Sequence, residues 1–121
     1  MSLFHLLYVE SPAASAAFYQ RLFGRPPLES SPTFALFALQ EGVKLGLWSR
    51  HTVEPKPAGG PGSAELALAL PAPADVDARH AKWRDLGVEI IQPPTDLDFG
   101  RSFVGLDPDG HRLRILSANE A

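Results

Sequence analysis

The stretch 107-DPDGHRLRIL-116, near the end of the chain, predicts a tight turn followed by a strand. Its first four residues are typical of a tight turn, because Pro presets φ, the carboxylates accept local hydrogen bonds and Gly adopts a positive φ. Leu113 and Ile115 then alternate with Arg112 and Arg114, which is the two-residue period of a strand. One face of this strand is aliphatic, and the other carries Arg114, which faces either bulk water or a pocket.

The composition indicates one globular domain. The chain has 121 residues, of which 45% are hydrophobic and 21% charged, enough to bury a core. A net charge of −3 without a basic run gives no reason to expect nucleic acid as a partner. The absence of cysteine excludes disulfides and thiolate metal sites and fits a cytoplasmic protein. The apolar residues 1–9 lack a basic leader and a cleavage signature, so we expect a strand there and no membrane partner.

The first half of the chain predicts one helix among four strands. Ser11 is a natural N-cap, Pro12 suits the first helical position, and Gly24 supplies the stop. Alternating or β-like segments predict strands at residues 3–9, 28–30, 33–39 and 43–49.

The second half repeats this order after a linker rich in Pro and Gly. Strands are predicted at residues 64–70, 88–91, 101–106 and 111–117, and a helix at residues 75–86. The helix-stopping glycines, Gly24 and Gly87, and the hairpin glycines, Gly42 and Gly110, have similar separations, which indicates an internal duplication. We therefore predict a single domain over residues 1–121, with module one at about 1–50, the linker at about 51–62 and module two at about 63–121.

Two segments of the chain are similar to a known family. Residues 4–24, FHLLYVESPAASAAFYQRLFG, and residues 103–116, FVGLDPDGHRLRIL, resemble the glyoxalase/bleomycin-resistance/extradiol-dioxygenase group, the vicinal oxygen chelate superfamily. The resemblance covers essentially the whole domain. It implies an α+β fold in which two βαβββ modules form an open, curled mixed sheet around a cavity. It also implies a homodimer in which both chains shape each site.

Metal-dependent relatives take ligands from the first and last strands of each module. The positions that match this pattern are His5, Gly46, Glu65 and Arg114. Only His5 and Glu65 can donate to a metal, because glycine has no side chain and a guanidinium has no lone pair to give. A divalent ion needs several neutral or anionic donors. We therefore predict no metal and no other cofactor, and since no catalytic grouping stands out, we predict no catalytic residue.

Strand alternation predicts instead that Trp48 and Arg114 face the cavity. An indole that lines a cavity can stack on a planar ligand and donate its N–H. Arg114 either pairs with Glu65 as a structural pair or holds a ligand carboxylate or carbonyl, and a paired arginine can do both. For each aromatic residue the alternative is ordinary core packing. The candidate ligand-binding residues are His5, Phe34, Trp48, Glu65, Phe99, Arg101, Phe103 and Arg114.

Residues 95–103, with Gly100 as a bend, are predicted to form a movable loop beside the cavity. The favoured function is the non-catalytic binding and sequestration of a small planar aromatic compound, as in the antibiotic-binding members that the resemblance implies. The alternative is a metal-dependent lyase, isomerase or dioxygenase with an atypical site at His5 and Glu65. A third possibility is a dimer with an empty cavity.

Overall fold

The computed structural model describes residues 2–119, with the backbone only at residue 63. The chain divides into two compact units, the first ending at Gly59 and the second beginning at Gly60. This boundary lies within the linker predicted at residues 51–62. The predicted domain also includes residues 1, 120 and 121, which lie outside the described residues.

The first unit contains one helix and four strands. The strands are β1 (Leu3–Val9), β2 (Glu29–Ser30), β3 (Phe34–Gln40) and β4 (Val43–Ser49), and the helix α1 (Pro12–Phe23) follows β1. The sheet has the order β1-β4-β3-β2, with β1 parallel to β4 and the other neighbours antiparallel.

The helix α1 begins and ends as its sequence predicts. The Ser11 side chain accepts a hydrogen bond from the Ala14 N–H at 3.2 Å, and Gly24 ends the helix with φ of 69° while its N–H donates to the Gln20 carbonyl. One side of α1 packs on the sheet, where the Tyr19 and Phe37 ring centroids lie 6.5 Å apart and both side chains are fully buried. The core of the first unit therefore lies between α1 and one face of its sheet.

The second unit repeats the βαβββ order. Its elements are β5 (Glu65–Ala69), α2 (Pro73–Asp85), β6 (Glu89–Leu97), β7 (Gly100–Leu106) and β8 (Arg112–Ala118). The sheet order is β5-β8-β7-β6, with β5 parallel to β8. A short 3-10 turn at Pro61–Ser63 precedes β5.

The helix α2 packs on its sheet through the fully buried side chains of Val76 and Trp83. A Cβ added to Gly105 in β7 would lie only 3.3 Å from Cε3 of Trp83, so the missing side chain lets the indole approach the strand. At the N-terminus of α2, the Asp75 carboxylate accepts a hydrogen bond from the Ala72 N–H at 3.1 Å. This is half of a capping box, because the alanine at position 72 has no side-chain oxygen to accept a hydrogen bond from the first turn.

The movable loop predicted at residues 95–103 is wrong. Residues 95–97 belong to β6, which pairs with β7 from Glu89↔Leu106 to Leu97↔Gly100, so only Asp98 and Phe99 form the turn. The adjacent Pro93 and Pro94 lie inside β6. They fit here because β6 is an edge strand and its register with β7 shifts between Gln92 and Thr95.

The predicted fold class is confirmed. Two βαβββ modules, each with a mixed four-stranded sheet and one helix, make an α+β protein. Within residues 2–119, neither helix has the length and apolarity that crossing a bilayer requires. The homodimer stays a prediction.

Candidate functional site

The first unit leaves one face of its sheet without a covering helix. We call this the open face of the first sheet. Strand register assigns its residues, because paired residues on neighbouring strands point to the same side. Phe4, Leu6 and Tyr8 pair with Lys44, Gly46 and Trp48, and Phe34 and Leu36 pair with Trp48 and Gly46. The open face thus comprises Phe4, Leu6, Tyr8, Phe34, Leu36, Lys44, Gly46 and Trp48.

Gly46 lies in the middle of the open face, and neighbouring side chains fill the space above it. A Cβ added there would lie 2.6 Å from Cδ2 of Leu6 and 2.9 Å from Cζ of Phe34. These two side chains, from the strands on either side of β4, therefore approach each other over the glycine backbone. The missing side chain is what makes that approach possible.

The open face is strongly apolar and partly accessible. Phe4, Leu6 and Tyr8 keep 49%, 41% and 43% of their surface exposed, a concentration that a monomeric surface seldom shows without a binding role. Trp48 is half-buried, and its ring meets the Tyr8 ring edge to face at a centroid distance of 6.3 Å. The ammonium of Lys44 lies 5.5 Å from the Phe4 ring centroid. This surface can stack on a flat apolar molecule.

His5 lies on the other face of β1. It alternates with Phe4 and Leu6 and shares its side with the buried Leu7 and Val9. The prediction matched His5 with Glu65, and the strand registers show why this is wrong. Glu65 pairs with Arg112, two residues before Arg114. In the first unit, the residue that pairs two positions before Gly46, with Lys44, is Phe4. Phe4, rather than His5, is therefore the counterpart of Glu65. Alternation alone missed this because both faces of β1 are apolar.

The second unit carries a polar cluster around Arg114 on the face of its sheet away from α2. The Arg114 Nε–H donates to Oε2 of Glu65 at 2.8 Å, and Nη1 donates to the Ser102 hydroxyl at 2.9 Å. The Phe99 ring, 44% exposed, lies 5.8 Å from the guanidinium carbon. The predicted pair of Arg114 and Glu65 is confirmed. With its side chain 16% exposed, Arg114 is held in place while some of its donors stay unused.

Arg101 and Phe103 lie on the helix-covered face of the same sheet. Arg101 donates to Asp77 of α2 and to Asp96 of β6, both at 3.0 Å, and these hydrogen bonds, that of Asp96 foremost, raise the pKa of its guanidinium. Phe103 is fully buried and meets the rings of Trp83 and His80 at centroid distances of 5.1 and 5.2 Å. Arg101 therefore links α2 to the hairpin of β6 and β7, and Phe103 belongs to the core of the second unit.

The donors present do not fit a metal centre of the family type. Within residues 2–119, no group of three or more His, Cys, Asp or Glu side chains could hold a metal ion. Gly46 supplies no donor, and the Glu65 carboxylate is already bonded to the cationic Arg114. A guanidinium beside the carboxylate repels a second cation. We derive no chemical step through a metal.

Of the residues on the open face, the sequence predicted Phe34 and Trp48 as ligand-binding candidates but not Phe4, Leu6 or Tyr8. In the second unit it did not predict Ser102. The signal for Leu6 was available at Gly46, since a glycine inside a strand often marks a close approach of a neighbour. Nothing in the sequence pattern marks Ser102 as the acceptor for Arg114. That Trp48 and Arg114 line one cavity stays a prediction.

Comparison with known proteins agrees with this architecture. A sequence model of the Glyoxalase/Bleomycin resistance protein/Dioxygenase superfamily matches residues 2–115. The chain is 32% identical over 114 residues to the phenazine antibiotic resistance protein EhpR of Enterobacter agglomerans, covering 91% of this chain and 86% of that protein.

Solved structures give the same result. A protein of Agrobacterium tumefaciens, determined by solution NMR, is 48% identical with a TM-score of 0.88 and covers 99% of this chain and 98% of its own. A glyoxalase/bleomycin resistance protein/dioxygenase from Nocardioides is 26% identical with a TM-score of 0.83, covering 100% of this chain and 85% of its own. The resemblance inferred from the two sequence segments is therefore confirmed: the chain belongs to the Glyoxalase/Bleomycin resistance protein/Dioxygenase superfamily.

Proposed function

We propose that this protein binds a small planar aromatic compound without transforming it, and so confers resistance by sequestration. The observation that carries the proposal is the open face of the first sheet, where accessible aromatic and aliphatic side chains lie together around Gly46. The similarity to a phenazine antibiotic resistance protein supports the class of ligand. Sequestration requires affinity alone and no catalytic group.

The physical basis is stacking combined with burial of apolar surface. A flat ring laid on Trp48 and Phe34 gains about 0.5–1.5 kcal/mol per aromatic contact beyond its area term. Covering the exposed parts of Leu6 and Tyr8 adds roughly 25 cal/mol for each Å² of apolar surface removed from water. These terms suffice for affinity without a charge on the ligand.

The Arg114 cluster of the second unit is proposed as a contact for polar ligand atoms. Glu65 and Ser102 fix the guanidinium, so its remaining N–H groups can donate to a carbonyl or carboxylate at little entropic cost. Phe99 supplies a second accessible ring beside it. His5, Arg101 and Phe103 have no part in this proposal, because each lies on a helix-covered sheet face.

The decisive test uses phenazine-1-carboxylate as probe. We expect it to quench Trp48 fluorescence, and Trp48→Ala to weaken its binding about tenfold in calorimetry, which corresponds to about 1.4 kcal/mol. The matched control is Phe23→Leu, which alters a half-buried ring of α1 that stacks on Tyr19 away from the open face. Undiminished affinity in Trp48→Ala, or equal losses in both variants, would contradict the proposal.

Metal independence is part of the proposal and has its own test. Since the donor set does not fit a metal, treatment with EDTA should leave the affinity for the probe unchanged. Binding that EDTA abolishes and a divalent ion restores would contradict it. That outcome would favour the metal-dependent alternative.

We also propose that the chain acts as one domain, as a homodimer, in the cytoplasm. The family resemblance implies the dimer, and the absence of cysteine fits the compartment. Analytical ultracentrifugation should give twice the chain mass of 13.1 kDa. A single species of monomer mass across the micromolar range would contradict the dimer.

A further inference from the structure

A surface groove lies in the second unit, and none of the residues that line it belongs to the binding sites proposed above. It is a groove of about 510 Å³ lined by His80 and Arg84 of α2, by Val88, and by Ile90 and Pro93 of β6. We call it the α2–β6 groove.

The groove carries one uncompensated cation. Within residues 2–119, the Arg84 side chain has neither an ion pair nor a hydrogen-bond partner. The neighbouring carboxylate of Asp77 is already bonded to Arg101. Burial, followed by the charge of Arg84, lowers the pKa of His80, although Asp77 acts in the opposite direction. The imidazole is therefore neutral at pH 7, and it can donate or accept a hydrogen bond.

The remaining lining is apolar. Val88 is buried and packs toward Gly105, with its Cγ1 2.9 Å from where a Cβ of Gly105 would lie. Ile90 is half-buried, and Pro93 presents a ring and has no N–H. An apolar floor beside one cation and one neutral imidazole suits an anion that has an apolar body.

We propose that the α2–β6 groove binds a small carboxylate carrying a compact apolar group, with Arg84 as its counter-ion. A single planar carboxylate matches the fork of one guanidinium, whereas a phosphate dianion calls for more positive charge than the groove offers. The apolar group covers Val88, Ile90 and Pro93, and the His80 imidazole lies within the same lining. This site is independent of the proposed sequestration of a planar compound.

Three probes separate the contribution of the carboxylate charge from that of the apolar group. Benzoate has both the charge and the apolar body, acetate has only the charge, and benzamide has only the body. In NMR titrations that follow the His80 imidazole, assigned with His80→Gln, we expect benzoate to bind at least about tenfold more tightly than either of the others. Equal affinities of the three, or benzoate shifts confined to other histidines, would overturn the proposal.

The role of Arg84 is tested with a matched variant on the same helix. Arg84→Gln should weaken benzoate binding about tenfold, while Lys82→Gln, at an exposed position outside the lining, should leave it unchanged. Trp48→Ala should also leave it unchanged, which distinguishes this site from the open face of the first sheet. Equal losses in Arg84→Gln and Lys82→Gln would show only general charge attraction and overturn the assignment.

Discussion

Replacing Gly100 by alanine should disrupt the pairing of β7 with β8 far more than the strain of a positive φ alone would. Gly100 has φ of 145°, a region that residues with side chains seldom adopt. An added Cβ would overlap the Ser117 carbonyl oxygen and lie 3.0 Å from Cα of Ala118, and both are backbone atoms of β8. Because backbone cannot rotate away as a side chain can, β7 and β8 must separate at this end.

The magnitude follows from these contacts. Strain of this kind costs about 1–3 kcal/mol. Separating the strands also breaks the hydrogen bond from the Asn119 N–H to the Phe99 carbonyl, and each such bond lost costs about 0.5–1.5 kcal/mol. Gly100→Ala should thus lower the free energy of unfolding by about 3 kcal/mol. The matched control is Gly87→Ala in the same unit, where φ is 83° and no atom lies within 4 Å of the added Cβ. It should cost only about 1 kcal/mol.

Urea denaturation followed by circular dichroism measures both variants against the wild type, with the m-value checked for a common transition. The expected difference between the two alanine variants is about 2 kcal/mol. Equal losses, or a larger loss in Gly87→Ala, would show that the contact of Gly100 with β8 does not determine the cost of the substitution.

Three other outcomes follow from the sites. Gly46→Leu must displace Leu6 and Phe34, which occupy the space that its side chain would need, so calorimetry should show at least about tenfold weaker binding of the planar probe. Arg114→Met leaves the Glu65 carboxylate and the buried Ser102 hydroxyl without their donor, and denaturation should show a loss of about 1–3 kcal/mol. Burial and Arg84 lower the folded-state pKa of His80 below its ordinary 6.5, so the unfolded chain binds protons first and stability falls as the pH drops below about 6.5. His80→Gln should lose less on acidification, as measured by thermal melts at pH 7.5 and 5.5.

Each of these has a contradicting result. Unchanged binding in Gly46→Leu would show that the packing of Leu6 and Phe34 over Gly46 is not part of the site. If Arg114→Met and the double variant with Glu65→Gln were equally unstable, the unpaired carboxylate would not be the cause of the loss. Identical pH profiles for wild type and His80→Gln would show that the imidazole does not contribute to acid sensitivity.

Local signals predicted the first helix and most strands correctly. Ser11, Pro12 and Gly24 act within a few residues of one another, so their effect does not depend on distant packing. The same holds for β4, whose predicted bounds of 43–49 agree with the structure because polar and apolar residues alternate clearly. The repeated order indicated two modules, and the resemblance of two segments to a known family implied the fold class.

The predictions failed where strand pairing, and not the local sequence, determines the structure. The loop predicted at residues 95–103 is mostly strand, and β6, as an edge strand with a register shift, also contains Pro93 and Pro94. The orientation of His5 depends on its pairing with Leu45, which no alternation within β1 reveals. At the candidate site, the pairing of Arg114 with Glu65 was predictable from charge and phase. The bond to Ser102 was not, because it depends on the register between β7 and β8.

The incomplete cap of α2 offers a means of engineering this protein. Ala72 already has the extended backbone of an N-cap, with φ of −137° and ψ of 153°, and its N–H already donates to Asp75. Ala72→Ser would supply the missing acceptor for a free N–H of the first turn, worth about 1 kcal/mol. Such a stabilised background would offset the whole cost of variants that lose about 1 kcal/mol, such as Gly87→Ala, and part of the cost of Gly100→Ala, so that ligand affinities could be measured on more of the native protein.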